Sequence, residues 1–439
     1  VLSGEVLKMP SASSVATPKG MRDIKPAEMR VRERILQIMK EIFGVYGFSP
    51  LETPAVENWE VLSAKGAGGE EILNETYNFE DKGGRRVGLR YDLTVPLARF
   101  IAMNPNLPLP FKRYQIGRVW RYGDVAKGRL REFWQADVDI VGSESMLADA
   151  EVVACAVDVF KALGFKEFVV RVNNRKILSA MIQFSGVEKE RVWDALRVID
   201  KLEKVGEKKV VEELLERGVG EGACNRLMEL LMLKGSSEQL LEKAESLIGG
   251  MKEGKEGVGE LRELVSYLGE MGCSEYARID FSLARGLEYY TGPIFEVFFS
   301  KEIGSLAGGG RYDRMIGLFL GREMPATGIS FGVDRIAEVI PPAGDEEGGV
   351  FVAYTEGCLK DAVRVLTKLR RRGVSAVVDL RGRSLAKQLA YANSMNARYA
   401  VIVGKQEGRE GKVKLRDFRS GEERTVGVEE CIDLITQAV

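Results

Sequence analysis

The 439-residue sequence predicts a mixed α/β (α+β) chain: a sheet with helices against it, an all-helical insertion, and a smaller α/β domain at the end. Three observations carry this. Residues 111–142 read as two strands joined by a charged loop, the second of which, 133–140, alternates its side chains with the two-residue period of strands. Residues 176–270 show only helix-period apolar spacing, in segments divided by glycines. Beyond PPAGDEEGG (341–349), strand-like and helix-like segments alternate to the end.

A chain this long exceeds one hydrophobic core, and length alone suggests about three domains. The 45% apolar and 29% charged composition is that of an ordinary folded protein. With 64 Lys+Arg against 65 Asp+Glu there is no global field to attract nucleic acid, which leaves local patches to do so. Cys155, Cys224, Cys273, Cys358 and Cys431 lie far apart without a CxxC pair, so reduced thiols are expected rather than disulfides or a zinc knuckle. No run reaches the roughly 20 apolar residues of a membrane helix. The opening VLSGEVLKMPSASSVATPKG lacks the order of a secretory signal; residues 1–17 read as a loose leader and the protein as cytoplasmic, without a membrane partner. The chain has no histidine, which excludes an imidazole base, a histidine relay or a histidine-ligated metal.

The elements follow in order. Pro26 starts a helix over about 26–44 with a stripe of Ile35, Ile38, Met39, Ile42 and Phe43. Pro50 and Pro54 keep the next segment extended, as an edge or subunit-contact strand. Short strands around 76–79 and 87–90 flank a turn, and a helix spans 94–103. Two strands joined by the loop 123–128 fill 111–142. In the second, Trp134, Ala136, Val138 and Ile140 face helices, while Phe133, Gln135, Asp137 and Asp139 share the other face. A helix covers 145–162 and a strand follows it. Five helical segments fill 176–270, with a flexible joint at Gly249, Gly250, Gly254, Gly257 and Gly259. Strands return at 277–283 and 293–299. A glycine turn at 308–310 leads to a helix over about 312–319, and 324–340 reads as strand, glycine, then helix. Residues 346–439 carry 17 Lys+Arg and 13 Asp+Glu, a mild basic excess in which Arg370, Arg371 and Arg372 suit a solvated helix end equally well.

Arg121 and Arg285 are the strongest candidates for chemistry, because a guanidinium grips two phosphate oxygens and stays charged when partly buried. Fixed arginines and a magnesium ion are the evident means of transferring a phosphoryl or nucleotidyl group without histidine. Phe133 suits stacking on a purine, and Gln135, Asp139, Tyr289 and Tyr290 suit a small-molecule cage. The alternative is structural: Arg285 pairs with Glu288 and the tyrosines fill a sheet. Gly308, Gly309 and Gly310 lack the GK[ST] ending of a P-loop and do not fit GxGxxG; they admit close approach of a ligand or a neighbouring strand.

Several segments resemble the histidyl-tRNA synthetases, a family of class II aminoacyl-tRNA synthetases, from PKGMRDI to the end of the chain. Lys19–Asp23 resembles the family's opening segment, 33–57 its dimer-forming first motif, LRYDLTVPLAR (89–99) its amino acid-binding segment, 111–142 its second motif and GISFGVDRI (328–336) its third. RGLEYYTG (285–292) and AGGGRYD (307–313) resemble the two segments peculiar to the histidine enzymes. The resemblance implies a class II synthetase antiparallel sheet flanked by helices, with catalytic parts at 18–175 and 271–341, the helical insertion at 176–270, and an anticodon-binding-type α/β domain at 346–439. It implies ATP-dependent activation of L-histidine, with magnesium, and transfer to tRNA(His) by a homodimer. Arg121, Phe133 and Arg335 would bind ATP, and Arg285 would neutralise charge at the α-phosphate. Asp92, Thr94 and Gln135 would receive the ammonium of histidine, and Asp139 and Tyr290, beside Tyr289, its imidazole; no side chain is assigned to the metal. The chain departs from the family at Gly123, followed by Asp124, where relatives usually carry an acid. A regulatory paralogue of ATP phosphoribosyltransferase shares the catalytic core, but such paralogues typically lose the RGLxYY segment and the anticodon-type domain.

Overall fold

A computed structural model describes residues 15–64, 69–126, 128–284, 289–300, 303–340 and 348–438. Residues 1–341 and 342–439 form two compact units, each described by itself.

The first unit begins with α1 (Pro26–Val45), started by Pro26 and burying Ile35, Leu36, Met39 and Phe43 on one stripe. Then come β1 (Ser49–Pro50), β2 (Val56–Asn58), α2 (Trp59–Leu62), α3 (Gly69–Asn74), β3 (Asn78–Glu80), β4 (Arg86–Leu89) and α4 (Thr94–Met103). The long hairpin β5 (Phe111–Trp120) and β6 (Glu132–Val141) leads into α5 (Met146–Ala162), which Ser145 caps by accepting a hydrogen bond from the Leu147 amide. Strand β7 (Val169–Asn174) opens onto α6 (Arg175–Phe184), α7 (Val192–Ile199), α8 (Leu202–Val205), α9 (Glu207–Glu216), α10 (Glu221–Leu231), α11 (Ser237–Ile248) and α12 (Lys252–Glu270). The chain returns through β8 (Ala277–Ile279), β9 (Pro293–Ser300), β10 (Gly304–Arg311), α13 (Gly317–Leu320), β11 (Ala326–Gly332) and α14 (Val333–Val339).

Among the described residues the central sheet has eight strands in the order β1-β5-β6-β11-β10-β9-β7-β8. Its interior pairs are antiparallel, and the end pairs β1–β5 and β7–β8 are parallel. The proline-bearing β1 sits at an edge, where the amide that Pro50 lacks is not needed for a second neighbour. One face of the sheet, through Ala136, Val138, Ile140, Ile329 and Phe331, packs with α1, α5, α11 and α12 into one apolar cluster. A second cluster holds Tyr91, Tyr289, Tyr290 and Tyr312 with α4, α7, α9 and α10. Helix α6 serves both, Ile177 and Met181 in the first and Leu178 and Ile182 in the second.

Two expectations are corrected. Gly254, Gly257 and Gly259 do not mark a joint: all three lie within α12. A Cβ at Gly257 would sit 2.9 Å from Ile177 Cγ1, so the residue is small because α12 crosses α6 closely. Gly308–Gly310 are not a turn but the middle of β10, and the helix after them is only the single turn α13. A Cβ at Gly309 would collide with the Gly328 carbonyl of β11, so the neighbouring strand excludes a side chain there.

The second unit is a five-stranded sheet, β13-β12-β14-β15-β16 among the described residues, with β12 (Val350–Tyr354) parallel to β13 (Ala376–Val378) and β14 (Tyr399–Val403). The hairpin β15 (Lys412–Asp417) and β16 (Glu423–Gly427) completes it, with α15 (Leu359–Arg371), α16 (Leu385–Ser394), α17 (Lys405–Arg409) and α18 (Val428–Ala438) alongside. The basic run at the end of α15 is partly structural, since Arg370 donates to the Ala376 carbonyl at 3.0 Å and Arg372 pairs with Asp433 at 3.5 Å.

Candidate active site

Residues opposite each other in an antiparallel sheet share a face, so the register sets what stands beside what. One row across the sheet reads Gln115, Asp137, Ser330, Gly308 and Glu296; the next reads Arg113, Asp139, Gly328, Gly310 and Ile294. Asp137, Asp139, Ser330, Gly308 and Gly328 from these rows line a cavity of about 1810 Å³. The glycines make its floor from bare backbone. At Gly328 a Cβ would strike the Asp139 carboxylate, and at Gly310 it would lie 2.9 Å from the Tyr290 ring.

The acidic end of the cavity is held from behind. Arg113 is wholly inaccessible, pairs with Asp139 Oδ2 at 2.8 Å and donates to the Leu93 carbonyl at 3.1 Å. The Tyr312 hydroxyl donates to Asp139 Oδ1. Burial pushes both Asp137 and Asp139 above the usual carboxylate range, and the Arg113 guanidinium pulls them back. Asp92 is also buried; desolvation pushes it up to about 6, while its Oδ1 accepts the Val95 amide at 3.0 Å at the start of α4. Tyr289 and Tyr290 meet edge to face at 4.9 Å, and Tyr289 meets Tyr312 at 5.9 Å, so three rings wall this end.

The other end is cationic and aromatic. Arg121 follows β5 directly, and its Nε donates to the Tyr91 carbonyl at 2.9 Å, which aims the guanidinium 5.5 Å from the Phe133 ring centroid. Arg335 rises from α14, its Nη1 donating to the Ser305 carbonyl at 3.1 Å. That helix is fixed by its neighbour Asp334, which accepts from the Trp134 amide at 2.6 Å and pairs with Arg32 of α1.

Asp92, Thr94, Arg121, Phe133, Gln135, Asp139, Tyr289, Tyr290 and Arg335 all line this one cavity. Arg285 lies outside the described residues, as does Glu288. Gly123 lines the cavity and backs onto Glu75, whose Oε1 would lie 2.9 Å from a Cβ there, while Asp124 is exposed and does not line it. Sequence reasoning passed over Arg113 and Tyr312. Both stood inside segments already singled out, but their pairing with Asp139 depends on a strand register that local pattern does not reveal. Among the described residues no three acidic or thiol side chains gather to cage a metal ion.

A large cleft on a glycine-floored antiparallel sheet, acidic at one end and arginine-lined at the other, fits the catalytic domain of an aminoacyl-tRNA synthetase. The profile of the family described as Histidyl-tRNA synthetase matches residues 20–336, and that described as Anticodon binding domain matches residues 339–438. The chain belongs to the histidyl-tRNA synthetase family. It is 40% identical over 441 residues to a histidine–tRNA ligase of Gloeobacter violaceus, covering 92% of this chain and 94% of that protein. With the histidine–tRNA ligase of Aeropyrum pernix it shares 41% identity, covering 95% and 97%. The crystal structure of histidyl-tRNA synthetase from Nostoc sp. PCC 7120 superposes with a TM-score of 0.84 at 32% identity, covering 97% of this chain and 99% of that one. A Bacillus halodurans structure titled as an ATP phosphoribosyltransferase regulatory subunit/histidyl-tRNA synthetase superposes with a TM-score of 0.78 at 25% identity, covering 90% of this chain and 100% of that one.

Proposed function

We propose that the cavity activates L-histidine with ATP and that the protein then charges tRNA(His). The observation that carries this reading is the convergence in one cavity of a buried acidic, tyrosine-walled end and an arginine-flanked aromatic end. Asp92, Thr94 and Gln135 receive the α-ammonium. Asp139, Tyr289 and Tyr290 form the ring end. Phe133 stacks on adenine, Arg121 holds the α-phosphate and Arg335 the outer phosphates, and Arg285 is assigned to offset charge at the α-phosphorus.

In the first step a carboxylate oxygen of histidine attacks the α-phosphorus, the bond to the bridging oxygen breaks, and pyrophosphate leaves with the electron pair. The carboxylate is already ionised, so activation needs no protein base and a chain without histidine suffices. Magnesium bound with ATP would neutralise charge on the triphosphate, and no described side chain is assigned to hold it. In the second step the ribose hydroxyl of the 3'-terminal adenosine of tRNA(His) attacks the carbonyl carbon of the adenylate, the bond from that carbon to the phosphate oxygen breaks, and AMP leaves, its phosphate taking up the hydroxyl proton.

The wider assignments rest on family membership. Residues 18–175 and 271–341 form the catalytic part, 176–270 reach towards the acceptor arm, and 346–439 bind the anticodon end. A homodimer forms through α1 and the β1 edge. Among the described residues no helix is long and apolar enough to cross a membrane, and the cytoplasm, where tRNA is charged, is the expected location. The regulatory-paralogue reading is disfavoured by the match to the anticodon-binding profile. Histidine-dependent ATP–pyrophosphate exchange, run against all twenty amino acids and followed by charging of tRNA(His), tests the proposal. Exchange with histidine alone supports it; a folded, ATP-binding protein without exchange returns the reading to the paralogue.

A further inference from the structure

Pro18, Lys19, Gly20 and Met21 form a tight turn, closed by the Met21 amide donating to the Pro18 carbonyl at 3.0 Å. Gly20 stands third in it with φ +81°, a left-handed conformation that glycine adopts without strain. A second demand falls on the same residue. A Cβ at Gly20 would lie 2.7 Å from Cγ and 2.9 Å from Cδ of Arg131, so the turn rests with bare backbone on the arginine stem. The contact is hydrogen-bonded as well. The Arg131 amide donates to the Gly20 carbonyl at 2.8 Å, and the Arg121 amide donates to the Arg131 carbonyl at 2.9 Å. Three segments thus form a short ladder that ends on the backbone of Arg121. The Arg131 guanidinium lies 3.7 Å from the Tyr122 ring centroid, and its Nε donates to the Gly123 carbonyl at 3.2 Å. On the other side the Tyr122 amide donates to the Glu75 carbonyl at 2.6 Å. Farther along, the Gly128 carbonyl accepts from Arg335 Nε at 3.4 Å. Residues 121–126 and 128–131 therefore touch both arginines assigned to the phosphates, and the turn braces their foot. Arg121, Gly123, Gly128 and Arg129 line the cavity; Gly20 and Arg131 do not.

Resting on the ATP-dependent reading above, we propose that the turn 18–21 is a clamp on the phosphate-facing loop, with Gly20 and Arg131 as positioning residues that act through Arg121. The clamp holds the Arg121 backbone while the Tyr91 carbonyl holds its Nε, so the guanidinium meets the α-phosphate at one place. A displacement of about 1 Å in such a group can cost on the order of 10²-fold in rate. The histidine end is anchored separately, through Arg113 and Tyr312 on Asp139 and through the Val95 amide on Asp92. Loosening the clamp therefore weakens the use of ATP and spares histidine.

The test is histidine-dependent ATP–pyrophosphate exchange by the full chain, with amide hydrogen exchange across residues 121–131 as the second readout. Gly20→Ala strains the turn and drives it off the Arg131 stem. It should lower kcat/KM for ATP by about tenfold, keep the KM for histidine within about threefold, and leave the melting temperature close to wild type. The 121–131 amides should exchange about tenfold faster, with the rest of the chain unchanged. Arg131→Ala, which removes the stem, should move the same quantities by about threefold or more and carries the test if Gly20→Ala does not fold. Arg131→Lys keeps the stem and should stay near wild type. A folded Gly20→Ala or Arg131→Ala protein with wild-type kcat/KM for ATP overturns the clamp and leaves the histidine-activating reading intact. So does a variant in which the histidine KM rises in step with a falling melting temperature, since that is a general loss of structure. No histidine-dependent exchange in the wild-type protein overturns the activating reading instead; the hydrogen exchange of 121–131 in wild type and Gly20→Ala then decides the clamp.

Discussion

Among the described residues the Arg121 side chain makes one hydrogen bond, from Nε to the Tyr91 carbonyl, which leaves the remaining guanidinium nitrogens for a phosphate. Replacing it with alanine removes little packing, so exchange activity is expected to fall about 10²-fold or more while the melting temperature stays close to wild type. Parallel loss of both would make the residue structural. Asp92 gives a pH prediction. Burial raises its carboxyl from the ordinary 3.8 to about 6, so the folded state holds the proton more tightly than the unfolded chain. The contribution of this group to stability is whole below about pH 4 and is lost as the pH rises through about 6. A bound ammonium supplies the counter-charge, so histidine should raise the melting temperature more at pH 7.5 than at pH 5, and Asp92→Asn should flatten that difference. Equal shifts at both pH values in wild-type protein would remove Asp92 from the ammonium site. Much of the cavity was legible at this scale, because two-residue alternation alone put Gln135, Asp137 and Asp139 on one face. The partners of Asp139 were not, since Tyr312 reaches it across 173 residues of chain.

At the scale of elements, the same residue type carried opposite meanings that sequence could not separate. Gly257 and Gly259 sit two positions apart in α12, one against α6 and one with nothing within 4 Å of its absent Cβ. Gly259→Ala should therefore stabilise the fold by about 0.5–1 kcal/mol through helix propensity. Gly257→Ala should cost about 1–3 kcal/mol by overpacking the crossing. Urea melts of the two variants check both signs, and identical signs would mean that the crossing yields freely. The hairpin of 111–142 was readable because strand alternation is a local signal. The glycine run at 308–310 was misread as a turn because the reason for its glycines, the Gly328 carbonyl, lies on another strand.

For the whole molecule, the placement of α6 in both apolar clusters ties the helical insertion to the sheet. Residues 1–341 should unfold in one cooperative transition, the insertion melting with the strands. The fragment 342–439, which has its own apolar clusters, should show a separate transition of its own. Calorimetry of the two fragments checks this, and an early, isolated melting of 176–270 would contradict the shared core. The alternation of strand and helix made the second unit legible. The sharing of the core by the insertion was not, because a helix-period pattern names a buried face without naming its partner. The bare floor of the cavity also bears on how such a pocket can change over generations. Gly308, Gly328 and Gly332 have no side chain left to trim, so every substitution among them subtracts room. Single changes to the floor can narrow the range of accepted amino acids but never widen it. Any descendant of this chain that admits a bulkier substrate must find the room among the side chains that line the walls.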